Sequence, residues 1–424
     1  MSAQPLTFDS GPPLGLVLRS FLIAPWFIAA AGLVLLLGGP QALSDRYTPS
    51  LLAATHLVTI GFLMVTASAA VFQLLPVLSG VSVRALTLIA PIVQFGFVVG
   101  AVVLAFAFMS QRPFLFDIAA ALLAAATSAF IVPTWITLRG LTEQKTLLVM
   151  RYALTGLAVG LTLGLTMAVQ RGTGRPLSVY LLVMHPLWAL VGGLFILWAG
   201  VALQVMPMFQ GARSWSVRAT LWLGPVLLAL LTGVLWAVAR GWPQIFARVG
   251  LLAIAGVVAL YGALVLHRLW TRGRRRRDVM TYFWYLALAC LLFVCWLAVP
   301  LIFVANGPSQ YPLLLGVVSI LGVGVSFMSG MLYKIVPFLV WLHLQRRPGH
   351  APVLLQTIIE ERWMMLHFGI HVAALWVTLL AIFWPRLWTM PAAVLWICAG
   401  SGLGLNLASA GLRYRRALRP LLSS

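Results

Sequence analysis

Apolar runs of membrane-spanning length fill most of this 424-residue chain, and they constrain its fold more than any other feature. Each run is long enough to cross about 30 Å of hydrocarbon. Inside a bilayer every backbone polar group must find its partner within the segment, so the runs are predicted to be helices. Twelve spans are predicted, at residues 20–39, 50–78, 85–109, 114–138, 146–169, 178–208, 218–239, 249–270, 279–305, 311–342, 364–384 and 389–411.

The composition is that of an integral membrane protein. Hydrophobic residues make up 62% of the chain and charged residues 8%, and the mean hydropathy is +1.03. The net charge of +21 would suit nucleic acid. The basic residues, however, lie between apolar runs, as the positive-inside rule requires. The expected partner is therefore a lipid bilayer, and nucleic acid is not expected.

The distribution of Lys and Arg predicts the orientation. With the N-terminus inside, 20 of the 28 basic residues fall on the cytoplasmic side and 7 on the other, while Lys334 lies within a span. Both termini are therefore predicted to be cytoplasmic, in a bacterial-type inner membrane. The run Arg274 to Arg277 is interpreted as a topogenic signal, with an anionic-lipid site as the alternative.

One helix pattern recurs three times along the chain. A glycine precedes a proline by fifteen residues in Gly61 to Pro76, Gly192 to Pro207 and Gly322 to Pro337, and the prolines are 131 and 130 residues apart. The marked helices are the second, sixth and tenth spans, and all three run from outside to inside. The pattern predicts an all-α polytopic protein of three parallel four-helix repeats within one integral membrane domain. The predicted repeats are residues 1–140, 141–271 and 272–424.

A polar residue stands three positions before each marked proline, namely Gln73, Gln204 and Lys334. A buried amide usually pairs with a helix carbonyl. A lysine is costlier to bury, although its head group can reach a nearby interface. A proton route and a cation that binds a haem propionate are the functional alternatives for Lys334.

Two histidines lie near the predicted outer ends of marked helices, His56 in the second span and His185 in the sixth. Intramembrane histidines are functional hypotheses by default, and imidazole is the commonest ligand of metals and haem iron. The alternative is a neutral histidine bonded to a neighbouring helix. His56 precedes its proline by twenty residues and His185 by twenty-two, so the two side chains are predicted to point in different directions in ideal helices. Two different centres are therefore an alternative to one shared group.

A second histidine pair, His367 and His371, stands four residues apart on the eleventh span, a spacing that can hold a metal. No third ligand is evident, so a structural role is favoured over a metal site. The three cysteines lie within apolar spans and show no ligand spacing. No P-loop, GxSxG or HExxH motif appears, and whether the protein is an enzyme stays open.

The twelve spans, the parallel four-helix repeats and the histidine of the second span together resemble subunit I of the haem-copper oxidases. The second span, with His56 and the ending Ala69 to Pro76, looks most like the nitric oxide reductase branch. In that superfamily the corresponding histidine ligates the low-spin haem, and one on the sixth helix ligates the metal beside the high-spin haem. The resemblance implies these roles for His56 and His185, with haem, copper or both as cofactors.

The sequence departs from the family's pattern at two helices. The family places haem-ligating histidines on the tenth helix and a histidine pair at the seventh, but residues 311–342 and 218–239 contain none. A complete binuclear centre is therefore not expected. The chain looks more like the stand-alone, reduced members linked to the nitric oxide response.

Three functions are consistent with these features. The first is a haem- or copper-binding protein in a redox, nitric-oxide-related or metal-handling role, with a respiratory or electron-transfer protein as partner. The second is a cofactor-free permease for a small solute or metal. The third is a non-catalytic assembly partner in a respiratory complex.

Overall fold

The computed structural model describes residues 11–141, 145–213, 221–273, 277–303, 310–346 and 354–422. Within these ranges, eleven helices are long and apolar enough to cross a membrane, and one shorter apolar helix stands among them. In chain order they are α1 Leu14–Gln41, α2 Pro49–Ser79, α3 Leu86–Ser110, α4 Pro113–Arg139, α5 Thr146–Gly172, α6 Val179–Gln210, α7 Leu223–Ala239, α8 Gln244–Trp270, α9 Val279–Pro300, α10 Gln310–Gln345, α11 Glu361–Phe383 and α12 Pro385–Arg416.

The all-helical, multi-pass class predicted from the apolar runs is confirmed, and the eleven long helices coincide with predicted spans. The exception is α7, where residues 214–220 lie outside the described part of the chain. The 17 residues of α7 extend about 25 Å at 1.5 Å per residue, slightly less than the hydrocarbon thickness. Of the predicted topogenic run, residues 274–276 also lie outside the described ranges.

Each of the three marked helices contains a π-helical segment of eight residues, at Leu57–Met64, Trp188–Phe195 and Val318–Val325. Each segment begins nineteen residues before the marked proline, as the numbering from 57 to 76, 188 to 207 and 318 to 337 gives. π-Helical turns are rare and concentrate at functional sites. The π segments thus recur at the same distance from the proline in all three marked helices, as the glycine does in the sequence.

The glycine shared by the marked helices admits a close neighbour at each position. A Cβ atom on Gly61 would lie 2.0 Å from the ring of Phe27 on α1, and one on Gly322 would lie 2.8 Å from the sulfur of Cys290 on α9. On α6, a Cβ on Gly192 would lie 3.0 Å from a side-chain carbon of Leu231 on α7, and α5 approaches through its own glycine, since a Cβ on Gly156 would lie 1.8 Å from the Gly192 carbonyl oxygen. Gly61, Gly156 and Gly322 therefore allow α1 and α2, α5 and α6, and α9 and α10 to pack closely.

The helices form two compact units. The α3–α8 unit comprises residues 74–276 and 291–311, with α5 packed against α4, α6 and α7. The terminal-helix unit comprises residues 12–73, 277–290 and 312–424, with α12 packed against α1, α10 and α11. The first unit contains His185; the second contains His56 and both residues of the α11 histidine pair.

Candidate functional site

His56 is the last residue before the π segment of α2. Its Nδ1 lies 2.7 Å from the carbonyl oxygen of Leu52, one turn earlier. Because a carbonyl only accepts, Nδ1 carries the proton and donates. In the neutral form of this half-buried ring the lone pair is then on Nε2, which is the tautomer of a histidine that ligates through Nε2.

His185 has the same kind of anchor, supplied by another helix. Its Nδ1 donates to the carbonyl oxygen of Gly160 on α5, 2.8 Å away. The ring lies over Gly164, where a Cβ would come within 2.6 Å of the imidazole Cε1. Of two glycines one turn apart on α5, Gly160 thus supplies the hydrogen-bond acceptor and Gly164 leaves the space that the ring occupies. The alternative of a histidine bonded to a neighbouring helix is realised here, and the bond again leaves Nε2 as the lone-pair nitrogen.

The packing of the helices around His56 limits the size of a cofactor that this histidine could bind. Within the terminal-helix unit, the π segments of α2 and α10 pack directly against each other. A haem held between these two helices does not fit at that level, and residues 311–342 of α10 offer no histidine to complete it. Among the described residues no group of three or more His, Cys, Asp or Glu side chains converges. The described residues therefore do not assemble a complete metal-ligand set around either histidine.

Lys334 on α10 is bound to an acidic partner. Its Nζ lies 2.6 Å from Oδ2 of Asp278, and the side chains are 21% and 18% exposed. Asp278 also begins α9, where its Oδ1 accepts from the backbone N–H and the hydroxyl of Thr281 at 3.1 and 2.8 Å. Burial on its own raises the pKa of the Asp278 carboxyl, but the Lys334 ammonium and these hydrogen bonds outweigh it and hold the pKa below its usual range.

The two equivalent glutamines are half-buried, Gln204 on α6 and Gln73 on α2. The Oε1 atom of Gln73 has no hydrogen-bond partner among the described residues, and the buried hydroxyls of Thr66 on α2 and Ser329 on α10 share this condition. Native proteins satisfy nearly all buried polar atoms, with ordered water where protein groups are lacking. The terminal-helix unit therefore has buried polar atoms on α2 and α10 that need partners beyond the described protein groups.

The α11 histidines belong to a connected cluster of buried polar side chains. His367 is 2% exposed and His371 is fully buried. Nδ1 of His367 lies 2.9 Å from the Tyr333 hydroxyl, and Nε2 of His371 lies 2.8 Å from the Ser326 hydroxyl. Both hydroxyls belong to α10. The ring of Phe283 packs against both imidazoles, with centroid distances of 5.4 and 5.3 Å.

The one-face placement of His367 and His371 agrees with the four-residue spacing, but the sequence reasoning missed their partners. Ser326 and Tyr333 stand seven residues apart, two helical turns, and so lie on one face of α10. This spacing of two polar residues on a marked helix could have indicated a polar face of α10. Asn406 of α12, whose Nδ2 donates to the Tyr333 hydroxyl at 2.8 Å, carries no signal in the sequence.

Comparison with known proteins adds no family assignment: no protein-family model matches the chain, and no curated protein does.

Proposed function

We propose that this is a multi-pass membrane protein with the three-repeat layout of oxidase subunit I, which holds copper or haem through His185 and His56 in a redox, nitric-oxide-related or metal-handling role. The observation that carries the proposal is the anchoring of both imidazoles. Each donates from Nδ1 to a backbone carbonyl. Each therefore has Nε2 in the ligating state.

The layout is supported by two recurrences that are independent of the histidines. The π segments begin at one offset from the three marked prolines. A glycine allows the first and second helices of each predicted repeat to pack closely: Gly61 and Gly322 on the marked helices, and Gly156 on the helix beside Gly192. A threefold repeat explains both, whereas unrelated helices would have to acquire them separately.

The chain's own residues would orient and shield the cofactor. The Gly160 carbonyl fixes the ring of His185 and makes its Nε2 more basic, as second-shell partners of metal ligands do, and Gly164 leaves the space that the ring occupies. The Leu52 carbonyl orients the ring of His56 in the same way. When bound, copper or haem supplies one-electron chemistry. His56 and His185 belong to different units, and each would hold a group of its own.

The test is the visible spectrum and metal content of protein purified from cells supplied with haem and copper. Bound copper or a Soret band is expected in the wild type. His185→Gln and His56→Gln should each remove the contribution of one centre. The matched control is His267→Gln, because His267 is an exposed histidine at the end of α8. Wild-type protein with neither chromophore nor stoichiometric metal refutes the proposal, as does equal loss in the His267 variant.

A permease is the second candidate, and the unpartnered polar atoms of α2 and α10 favour it. Thr66, Gln73 and Ser329 place three such atoms on two helices that touch, as a path for a small solute or ion requires. In proteoliposomes this function predicts solute or metal-ion flux that falls in Thr66→Val and Ser329→Ala. Flux equal to that of empty liposomes excludes it.

A further inference from the structure

A groove in the α3–α8 unit runs along α5, on the face of the helix opposite His185. Seven residues between positions 162 and 175 line it, and its volume is about 480 Å³, within the range of sites that hold small-molecule ligands. Gly160 and Gly164, which meet the His185 ring, lie on the other side of the helix. The groove is therefore separate from the proposed cofactor site, and its ligand is independent of the proposed function.

The wall of the groove offers few hydrogen-bond donors to a ligand. The exposed residues Thr162, Thr166 and Thr173 donate their hydroxyl protons to carbonyl oxygens of their own helix, at 2.7, 2.9 and 2.8 Å. The remaining wall residues, Leu165 and Val169, are apolar. Because a polar solute would lose hydrogen bonds to water along this wall without replacing them, the wall suits a hydrocarbon chain better.

Polar groups collect at one end of the groove, where α5 ends. Gly174 has a φ of +68°, a conformation that favours glycine. Its N–H bonds back to the carbonyl oxygen of Arg171 at 3.3 Å, and the N–H of Arg175 bonds back to that of Gln170 at 2.8 Å. This is the Schellman arrangement of a helix C-terminus. The turn holds the backbone of Arg175 against that of Gln170, and both residues line the groove.

These two polar groups lack partners among the described side chains. The exposed guanidinium of Arg175 makes no hydrogen bond or ion pair within the described part of the chain. Oε1 of Gln170 is likewise without a hydrogen-bond partner among the described residues. The last torsion of glutamine is broad, so the half-buried amide can turn this oxygen toward a bound group. Arg175 thus requires an anion, and Gln170 requires a hydrogen-bond donor.

The groove has the depth of one leaflet of a bilayer. α5 has 27 residues and extends about 40 Å, close to the thickness of a bilayer with its head groups. Arg175 follows the end of α5 and therefore lies at the level of the head groups. Thr162 precedes Thr173 by eleven residues, so it lies about 16 Å deeper, near the middle plane at about 20 Å.

We propose that this groove binds one phospholipid with a primary-amine head group, of the phosphatidylethanolamine class. The Arg175 guanidinium holds the phosphate, whose oxygens match its planar donors. The ammonium beside the phosphate donates to Oε1 of Gln170. One acyl chain lies along Leu165 and Val169 toward Thr162. The leaflet is the one at the C-terminal end of α5, which is the outer leaflet in the predicted orientation.

Phosphatidylcholine is the discriminating ligand, because it carries the same phosphate and no N–H donor. It satisfies Arg175 but leaves Oε1 of Gln170 without a partner. The site therefore predicts a preference for the primary amine that depends on Gln170, and an affinity for both lipids that depends on Arg175.

The test is native mass spectrometry of protein that is delipidated in detergent and then titrated with either lipid, with identical acyl chains. Wild type should bind one phosphatidylethanolamine about tenfold more tightly than phosphatidylcholine, the effect of one charge-assisted hydrogen bond. Gln170→Leu should remove this preference. Arg175→Gln should weaken both lipids about tenfold, because both present the phosphate.

The matched control is Arg171→Gln. Arg171 is exposed at the same end of α5 and has the same charge, but it does not line the groove, so lipid binding should be unchanged. Equal losses in the Arg171 and Arg175 variants overturn the proposal, because general attraction to a basic helix end then explains the binding.

Equal affinity of the wild type for the two lipids also overturns the proposal, and this comparison needs no variant to fold. Phosphoethanolamine without acyl chains should not displace the bound lipid at equal concentration. Displacement would show that the wall of the groove contributes nothing and would refute a lipid site. None of these results bears on the metal or haem content that tests His56 and His185.

Discussion

Replacing Asp278 by asparagine should destabilise the terminal-helix unit by about 2 kcal/mol. Exposed ion pairs contribute about 0.2–1 kcal/mol, and removing one partner of a fully buried pair costs about 3–5 kcal/mol. The Asp278–Lys334 pair is about one-fifth exposed, so its value lies between these limits. Asparagine keeps an oxygen that accepts from Thr281 and so preserves the start of α9. Asp278→Ala also removes the acceptor for Thr281, which should lower the free energy of unfolding by about 1 kcal/mol more.

The dependence of this cost on pH has a definite sign. The pKa of the Asp278 carboxyl is lower in the folded protein than its usual value. The stabilisation is therefore present above the unfolded-state pKa of about 4 and is lost as the pH falls through the folded-state value. Wild type and Asp278→Asn should differ at neutral pH and converge in acid.

The assay is unfolding of the purified protein in detergent, followed at neutral and acid pH. The double variant Asp278→Asn/Lys334→Met should lose less than the sum of the single variants, since each single variant leaves the other group without its partner. The control is Glu360→Gln, because Glu360 pairs with Arg362 and Arg413 in an exposed setting and should change stability by less than about 1 kcal/mol. Additive single losses, or an Asp278→Asn variant as stable as wild type at neutral pH, would refute the reasoning.

Three further predictions follow from the packing, the charges and the buried cluster. Gly156→Val should abolish the folded protein, because its Cβ would lie 1.8 Å from the Gly192 carbonyl oxygen; Gly233→Val meets nothing within 4 Å and should fold, as the yield of monodisperse protein will report. A reporter fused after Arg277 should read cytoplasmic, and a periplasmic signal would overturn the predicted orientation. Ser326→Ala should cost about 1–3 kcal/mol in unfolding experiments by leaving His371 Nε2 unpaired, and an unchanged stability would show that Ser326 is not its partner.

The helical spans could be predicted from the sequence because a bilayer leaves the chain few options. An apolar run of about twenty residues, with its backbone bonded internally, is a helix wherever it crosses. The recurrence of Gly61, Gly192 and Gly322 was also readable from the sequence, and at Gly61 and Gly322 the close approach of a neighbouring helix requires glycine. The eight-residue π segments were not predicted, because no residue type specifies a π turn in the way that proline specifies a break.

The candidate site was predictable only in part. His56 and His185 stand out in the sequence because polar residues are rare in the spans, but the carbonyls that orient them, from Leu52 and Gly160, have no sequence signature. The partner of Lys334 was not identified, because Asp278 lies 56 residues away and is brought to it only by the antiparallel packing of α9 and α10. The hydroxyls that meet His367 and His371 likewise depend on a tertiary contact, that between α10 and α11.

An experimental density map of the protein, purified after supply of haem and copper, tests the central claim most directly. The claim predicts continuous density for a metal or haem at Nε2 of His185, of His56 or of both, on imidazoles whose Nδ1 atoms face the Gly160 and Leu52 carbonyls. Imidazoles bonded only to protein groups and water, at full supply of both cofactors, would contradict it.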